Sequence, residues 1–417
     1  MKELTVPNGG KPRLAVFDVE GVLIPKNRLF FDVTRRLGTV RLIKVLFFGF
    51  FYGIGVLPLK TALKKIFNVM QGAKVELLYE TLEKLPLIPN AEDVFAALRT
   101  ESIKTALISS GLPTFLVEKL ASRVGADYAV GVEIGVKNHL LTGEVWGDVI
   151  EPQGKFLVLK ELLEDEKITP AECVVIADDR NNASIFLKET LKIGYNPDFI
   201  IRVKADTTVN GALTKILPLI NGEGKKTRTP SQRDFLREFV HGSGIFIPVL
   251  AILFGVPAVA LFICIIVAVY SISEFSRMRG KNMPFFSALT RHSASQSELC
   301  EFTLAPIYFA AGILLTLLII PSPASYAGIA IFTLGDSSAS LVGGTLSKGS
   351  LPFNHSKTVE GTLAGFLFAF LAGSAFVAPW LALVGAAVGM LVEYLPLPVN
   401  DNLLMPLCAG LVLMFLA

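Results

Sequence analysis

Cysteine is scarce: the 417 residues hold four, Cys173, Cys264, Cys300 and Cys408, with no CxxC pair and no metal-ligand spacing. That excludes a disulfide framework and a zinc site, and reads as reduced thiols. No GxxxxGK followed by Ser or Thr occurs, so no P-loop holds a nucleotide. No internal repeat is visible, which weighs against a transporter built from repeated halves. The opening MKELTVPNGGKPRLAVFD lacks the apolar stretch of a signal peptide, so the first half is expected to stay in the cytosol. Net charge is only +3 and the basic residues are dispersed, which excludes nucleic acid as a partner. Charge is above all missing from the second half: from Glu238 onward there are 6 Lys/Arg and 8 Asp/Glu, leaving 33 and 28 of the 39 and 36 totals to the residues before it.

With 52% apolar residues the chain is too hydrophobic for an ordinary soluble protein. A charged soluble half and a membrane half follow from the uneven charge. In the first, the short apolar runs RLAVFD, TALISSG and CVVIADD alternate with charged helical stretches such as NAEDVFAALRTE and GKFLVLKELLEDEK. That alternation predicts a parallel α/β sheet. The runs end near Asp18, Ser109 and Asp178, at the carboxyl ends of predicted strands, where open α/β sheets place ligands. Residues 1–220 read as this domain, and the polar stretch 221–236 as a linker.

Residues 237–417 divide into apolar spans at about 239–254, 256–273, 302–320, 322–345, 360–378, 379–393 and 400–417, seven crossings in all. The loops with Arg277, Arg279, Lys281 and Arg291, and with Lys348, His355 and Lys357, are expected inside, and the tight Pro turns outside. Near the front, Val45 to Leu59 is an aromatic run with basic flanks, too short to cross and suited to the lipid interface; a buried core helix is the alternative.

Two sets of polar residues carry chemistry. In FDVEGVL, Asp18 and Glu20 lie two positions apart after a strand. One carboxylate can attack a phosphoryl group while the other protonates the leaving oxygen. With Ser109 in LISSG, Lys155 in GKFLVLKELL and Asp178 in IADDRNNASIF, this half resembles the haloacid dehalogenase superfamily, in its phosphoserine-phosphatase-like branch. The resemblance implies a Rossmann-like α/β domain with a helical cap at about 25–95, Asp18 as nucleophile and Glu20 as acid/base. It also implies Mg²⁺ on Asp18, the Glu20 backbone carbonyl and Asp178, and phosphoryl oxygens on Ser109 and Lys155. The substrate class would be a small phosphomonoester or a lipid phosphate. Two positions depart from the family pattern: Glu20 where it has Asp, and Asn182 where it has a second acid.

In the second half, Asp336 sits inside the apolar run Tyr326 to Val342 among small residues that leave room for a ligand. A carboxylate at that depth is a functional-site hypothesis. Arg237, His241, Glu274, Arg277, Glu298, Lys357, Glu360, Asp401 and Asn402 all fall near the inner ends of spans. Carboxylates for a cation and basic groups for phosphate suit a Mg²⁺-nucleotide site. REFVHGSG, SEFSR, GDSSASLVGG, KTVEGTLAG and DNLLMPL together resemble the dolichol kinase, phytol kinase and yeast-type diacylglycerol kinase family. That resemblance implies an all-α polytopic enzyme using CTP to phosphorylate a lipid alcohol. In it Asp336 and Asp401 would serve as metal ligands or base, Lys357 and Arg277 would hold CTP phosphates, and Glu360 and His241 would position them. The whole then reads as a bifunctional membrane enzyme, a polyprenol kinase fused to a phosphatase. The alternative is a diacylglycerol or short-prenol kinase with a silent, membrane-docking phosphatase-like domain. A transporter would show uptake without nucleotide turnover, and a scaffold no turnover at either site.

Overall fold

The computed structural model describes residues 11–53, 56–222, 232–278, 302–346, 357–395, 397 and 399–416, with isolated residues at 281, 283, 287, 290, 292, 351 and 354. The chain divides into two compact units meeting in sequence at Lys225 and Lys226. Glu298, Cys300, Arg279, Arg291, Lys348 and His355 lie outside the described residues, as does most of the 221–236 linker.

The first unit is a seven-stranded sheet in the order β4-β3-β2-β1-β5-β6-β7. Its strands are β1 (Leu14–Asp18), β2 (Lys104–Pro113), β3 (Tyr128–Lys137), β4 (Leu140–Trp146), β5 (Cys173–Ala177), β6 (Leu191–Tyr195) and β7 (Thr207–Val209). Only the β3–β4 pair is antiparallel. The run LAVFD is apolar up to its final aspartate, and all five residues are buried, as a central parallel strand covered on both faces requires. β1 pairs with β2 on one side and β5 on the other, Phe17 lying level with Leu107 and Ile176. Strand order reverses at β1, so Asp18 stands at the topological switch point.

The helices of this unit are α1 (Arg28–Leu37), α2 (Thr39–Gly53), α3 (Leu59–Val69), α4 (Val75–Lys84), α5 (Ala91–Thr100), α6 (Thr114–Val124), α7 (Gly154–Asp165), α8 (Phe199–Lys204) and α9 (Leu217–Ile220). The first four form the insert between β1 and the sheet-packed helices. α5 belongs to the sheet layer: Phe95 stacks on Phe17 with ring centroids 4.6 Å apart. Truncating either ring to Ala would cost about 3–5 kcal/mol.

The second unit is helical: α10 (Gln232–Gly242), α11 (Phe246–Phe254), α12 (Val256–Met278), α13 (Ala305–Ile319), α14 (Ala324–Leu346), α15 (Val359–Gly373), α16 (Pro379–Tyr394) and α17 (Asp401–Leu416). Three segments, Gln232–Phe254, Val256–Met278 and Ala324–Leu346, are long and apolar enough to cross a membrane. Four more apolar helices run only 15–16 residues, about 23 Å each against a hydrocarbon core of about 30 Å. Leu253, Phe254 and Leu261 are more than 60% exposed, while Glu274, Thr333 and Glu393 are buried. Apolar outside and polar inside is the arrangement a bilayer selects.

α14 is the hub, with Ala327, Ile329, Ile331 and Phe332 wholly buried. Its small residues serve contact between helices. A Cβ on Gly365 of α15 would lie 2.8 Å from both the Gly335 carbonyl oxygen and the Ala339 Cβ, so the two helices meet at backbone distance. The small residues expected to leave room for a ligand beside Asp336 are therefore largely spent on close packing.

Candidate functional site

In the first unit, β1 delivers Asp18 at its carboxyl end and the chain then turns through Glu20 and Gly21. Gly21 has φ +88°, and a Cβ there would lie 2.2 Å from Asp178 Oδ2. Glycine is required both for the turn and for the approach of the β5 loop. Lys155, at the start of α7, is 3% exposed and donates to Asp18 Oδ1 at 2.8 Å and to Asn182 Oδ1 at 2.6 Å. Asn182 in turn donates to Asp18 Oδ2 at 2.6 Å and to Asp179 Oδ1 at 3.0 Å. Both oxygens of Asp18 are thus fixed by partners from α7 and from the segment after β5, and the carboxylate is oriented before any substrate arrives.

The acids are crowded. Carboxylate oxygens of Asp18, Asp178 and Asp179 lie within 4.8 Å of one another. Lys26 holds Asp178 at 2.8 Å and Asp179 at 2.9 Å. Burial opposes the charge on Lys26, but the two aspartates outweigh it and raise its pKa. Burial pushes Glu20 up to about 7, and the Asp18 charge adds to the shift. Burial likewise raises Asp178 against the pull of Lys26. Four carboxyl groups (Asp18, Glu20, Asp178 and Asp179) face two ammonium groups, Lys26 and Lys155. Glu20 Oε1 and Asp178 Oδ1 are buried without a hydrogen-bond partner. A buried acidic excess with orphaned oxygens fits a divalent cation with oxygen ligands.

The carboxyl end of β2 presents a second serine beside the one expected from the sequence. Ser109 Oγ accepts from the amides of Gly111 at 3.2 Å and Leu112 at 2.9 Å. Its oxygen braces the end of the strand through these two amides, and its O–H stays available to donate. Ser110 Oγ is buried without a partner, and Ser110 lines the same cavity as Asp18, Glu20 and Lys155. Ser110 is therefore the hydroxyl presented to the cavity. A break in strand register between Ile108 and Pro113 moves the exit of β2, which strict alternation along the strand could not have shown.

A family model for haloacid dehalogenase-like hydrolases matches residues 15–181. The chain is 26% identical over 199 residues to the phosphoserine phosphatase of Methanocaldococcus jannaschii, covering 48% of this chain and 92% of that one. It is 26% identical over 156 residues to the phosphoserine phosphatase of Archaeoglobus fulgidus, spanning 45% of that protein. A solved phospho-aspartyl intermediate analogue of phosphoserine phosphatase is 25% identical, covering 50% of this chain and 98% of its own, with a TM-score of 0.46. The first unit is a haloacid dehalogenase-type, phosphoserine-phosphatase-like domain. In this haloacid dehalogenase-type domain the sequence reading missed two residues besides Ser110. Asp179, adjacent to Asp178, supplies a second carboxylate where Asn182 offers an amide. Lys26 reaches the acids from the start of the insert.

In the second unit the polar residues gather from several helices. Lys357 Nζ lies 2.6 Å from Glu393 Oε1, 3.7 Å from Asp336 Oδ1 and 3.6 Å from Asp401 Oδ2. His241 Nδ1 stands 3.5 Å from Asp336 Oδ2, and its ring packs on Phe309 and Phe332 at 4.3 and 5.0 Å. Four of the sequence-derived residues thus share one cluster. Glu393, only 2% exposed, joins them, although nothing in the run MLVEYLP had singled it out. Glu274 and Arg277 form a pair of their own at 2.8 Å, and the Thr303 amide also donates to Glu274, at 3.3 Å. Glu360 stands in the first turn of α15 with Oε2 buried and unpartnered. Arg237 is on an exposed part of α10, and the backbone N–H of Asn402 donates to Asn400 Oδ1 and Asp401 Oδ1.

Proposed function

We propose that the protein is a membrane-bound, Mg²⁺-dependent phosphomonoesterase acting through Asp18, joined to a lipid-alcohol kinase. The observation that carries the esterase reading is Asp18 gripped on both oxygens by Lys155 and Asn182, beside an acid cluster suited to a cation. In this reading Asp18 attacks the phosphorus, and the ester oxygen departs with a proton from Glu20. Glu20, held near 7, is protonated often enough at neutral pH for that role. Ser110 and Lys155 hold the phosphoryl oxygens. Water then attacks the phosphorus of the aspartyl-phosphate, its proton passes to Glu20, and phosphate and Asp18 are regenerated. Mg²⁺, held by Asp18, Asp178 and the Glu20 backbone carbonyl with Asp179 nearby, would offset the charge gathered on the phosphoryl oxygens. The test is release of inorganic phosphate from p-nitrophenyl phosphate by the full chain, with and without Mg²⁺. Loss of turnover in Asp18→Asn supports the reading, and unchanged turnover defeats it.

The kinase reading is favoured by a separate observation: Asp336, Glu393 and Asp401 converge on Lys357, and His241 on Asp336, inside a largely apolar bundle. Such a cluster is costly to build for packing alone. CTP would be the phosphoryl donor and a polyprenol, a short prenol or diacylglycerol the acceptor, with seven crossings and the first unit in the cytosol. CTP, Mg²⁺ and a panel of lipid alcohols should yield a lipid phosphate, and full activity of Asp336→Ala would sink the assignment.

A further inference from the structure

Helix α2 has two apolar faces, and only one is covered by its own unit. Val45 is buried and Phe48 packs on the core, while Gly49 and Tyr52 line the catalytic cavity. On the opposite face Val40, Ile43, Phe47 and Phe50 recur at helical spacing, each at least 55% exposed. The three-to-four-residue repeat makes them one stripe. Residues 39–70 contain Arg41, Lys44, Lys60, Lys64 and Lys65 and no Asp or Glu. An aromatic stripe with cationic flanks and no acid matches an anionic lipid surface. A second copy of the same face would set like charges against each other.

This helix is also joined to the chemistry. Arg180, beside the Asp178–Asp179 loop, donates to the Tyr52 carbonyl, and Asn181 Nδ2 donates to the Tyr52 hydroxyl. The Arg180 guanidinium lies 5.0 Å from the centre of the Tyr52 ring. The C-terminal end of α2 is therefore clamped to the loop that carries two of the acids. The cavity is divided in kind. Asp18, Glu20, Ser110 and Lys155 form its polar end, whereas α1 and α3 contribute Phe30, Leu59, Ala62, Leu63 and Ile66. An apolar wall favours an apolar leaving group.

We infer that the esterase acts on a monophosphate ester of a long-chain lipid alcohol, taken from an anionic bilayer on which α2 rests. The inference rests on the esterase reading above and names its substrate class. The test uses the full chain in nanodiscs of phosphatidylcholine and phosphatidylglycerol, with Mg²⁺ and without nucleotide. Phosphate release is compared for geranylgeranyl monophosphate, phosphoserine and p-nitrophenyl phosphate. The expected result is at least a tenfold higher kcat/KM for the prenyl ester than for phosphoserine. Replacing both Phe47 and Phe50 by Asp should lower the ratio of prenyl-ester to p-nitrophenyl-ester turnover at least fivefold. Turnover of p-nitrophenyl phosphate with no prenyl preference, or an unchanged ratio in the double variant, overturns the inference and leaves the esterase intact. Turnover of none of the three esters defeats the esterase reading itself, and the inference with it.

Discussion

The two units solve the same electrostatic problem with opposite geometry. Around Asp18 the acids come from two adjacent strand ends, residues 18–20 and 178–179, and two cations divide them, Lys155 on Asp18 and Lys26 on Asp178 and Asp179. Around Asp336 the acids come from three different helices and Lys357 stands among them. Both leave a carboxylate oxygen orphaned, Glu20 Oε1 and Asp178 Oδ1 in the first and Glu393 Oε2 in the second, but among the described residues only the first gathers three aspartate carboxylates within reach of one cation. The second draws its acids onto one ammonium group. A site poised to take up a metal and a site held together by its own lysine should respond differently to the same kinds of change.

The largest expected effect follows from removing the attacking group. Asp18→Asn should lower phosphate release at least a thousandfold while leaving the thermal unfolding midpoint of the second unit where it was, as followed by fluorescence of Trp380 in a Trp146→Phe background. Asp336→Asn should do the reverse, lowering CTP-dependent lipid phosphate formation at least a hundredfold with ester hydrolysis intact. If either substitution impaired both reactions equally, the separation of the two sites would be wrong.

Stability should separate the clusters next. Lys357→Ala leaves Glu393 and Asp336 buried without their shared cation, at a cost of about 3 kcal/mol. Pairing it with Glu393→Gln should recover part of that loss, which thermal unfolding in detergent would show. In the first unit, Gly21→Ala places a methyl group against Asp178 on a backbone with φ +88°. It should cost about 1–2 kcal/mol and raise the Mg²⁺ needed for half-maximal hydrolysis. The smallest effect is expected from Lys26→Gln. With one competing cation gone from Asp178 and Asp179, less Mg²⁺ should be needed, by a few-fold. A higher requirement would mean that Lys26 assists the metal instead of opposing it.

The contrast also explains what could be read from the sequence. Asp18, Glu20, Lys155 and Asp178 were legible because a parallel sheet gathers the ends of apolar strands, and apolar runs are visible in a sequence. Asn182 was visible as a departure, but its hold on Asp18 was not, since that depends on how the β5 loop folds back. Ser110 was hidden by the irregular exit of β2, and Lys26 by the reach of a flexible side chain from the insert. In the helical unit the apolar runs marked the helices, and their charged residues were conspicuous against that background. Glu393 escaped because it sits at the end of a run, where a charge looks like an ordinary boundary, and because its partner Lys357 lies in the segment just before another helix, α15. Helix proximity in a bundle leaves no local trace.

The central claim is that Asp18 is the group that accepts phosphate. The most direct measurement is rapid acid quenching of the full chain during turnover of a ³²P-labelled ester, followed by peptide mapping. The account predicts a hydroxylamine-labile label on the peptide containing Asp18, dependent on Mg²⁺ and missing from Asp18→Asn. Steady ester turnover with the label on another residue, or with undiminished labelling in Asp18→Asn, would contradict it.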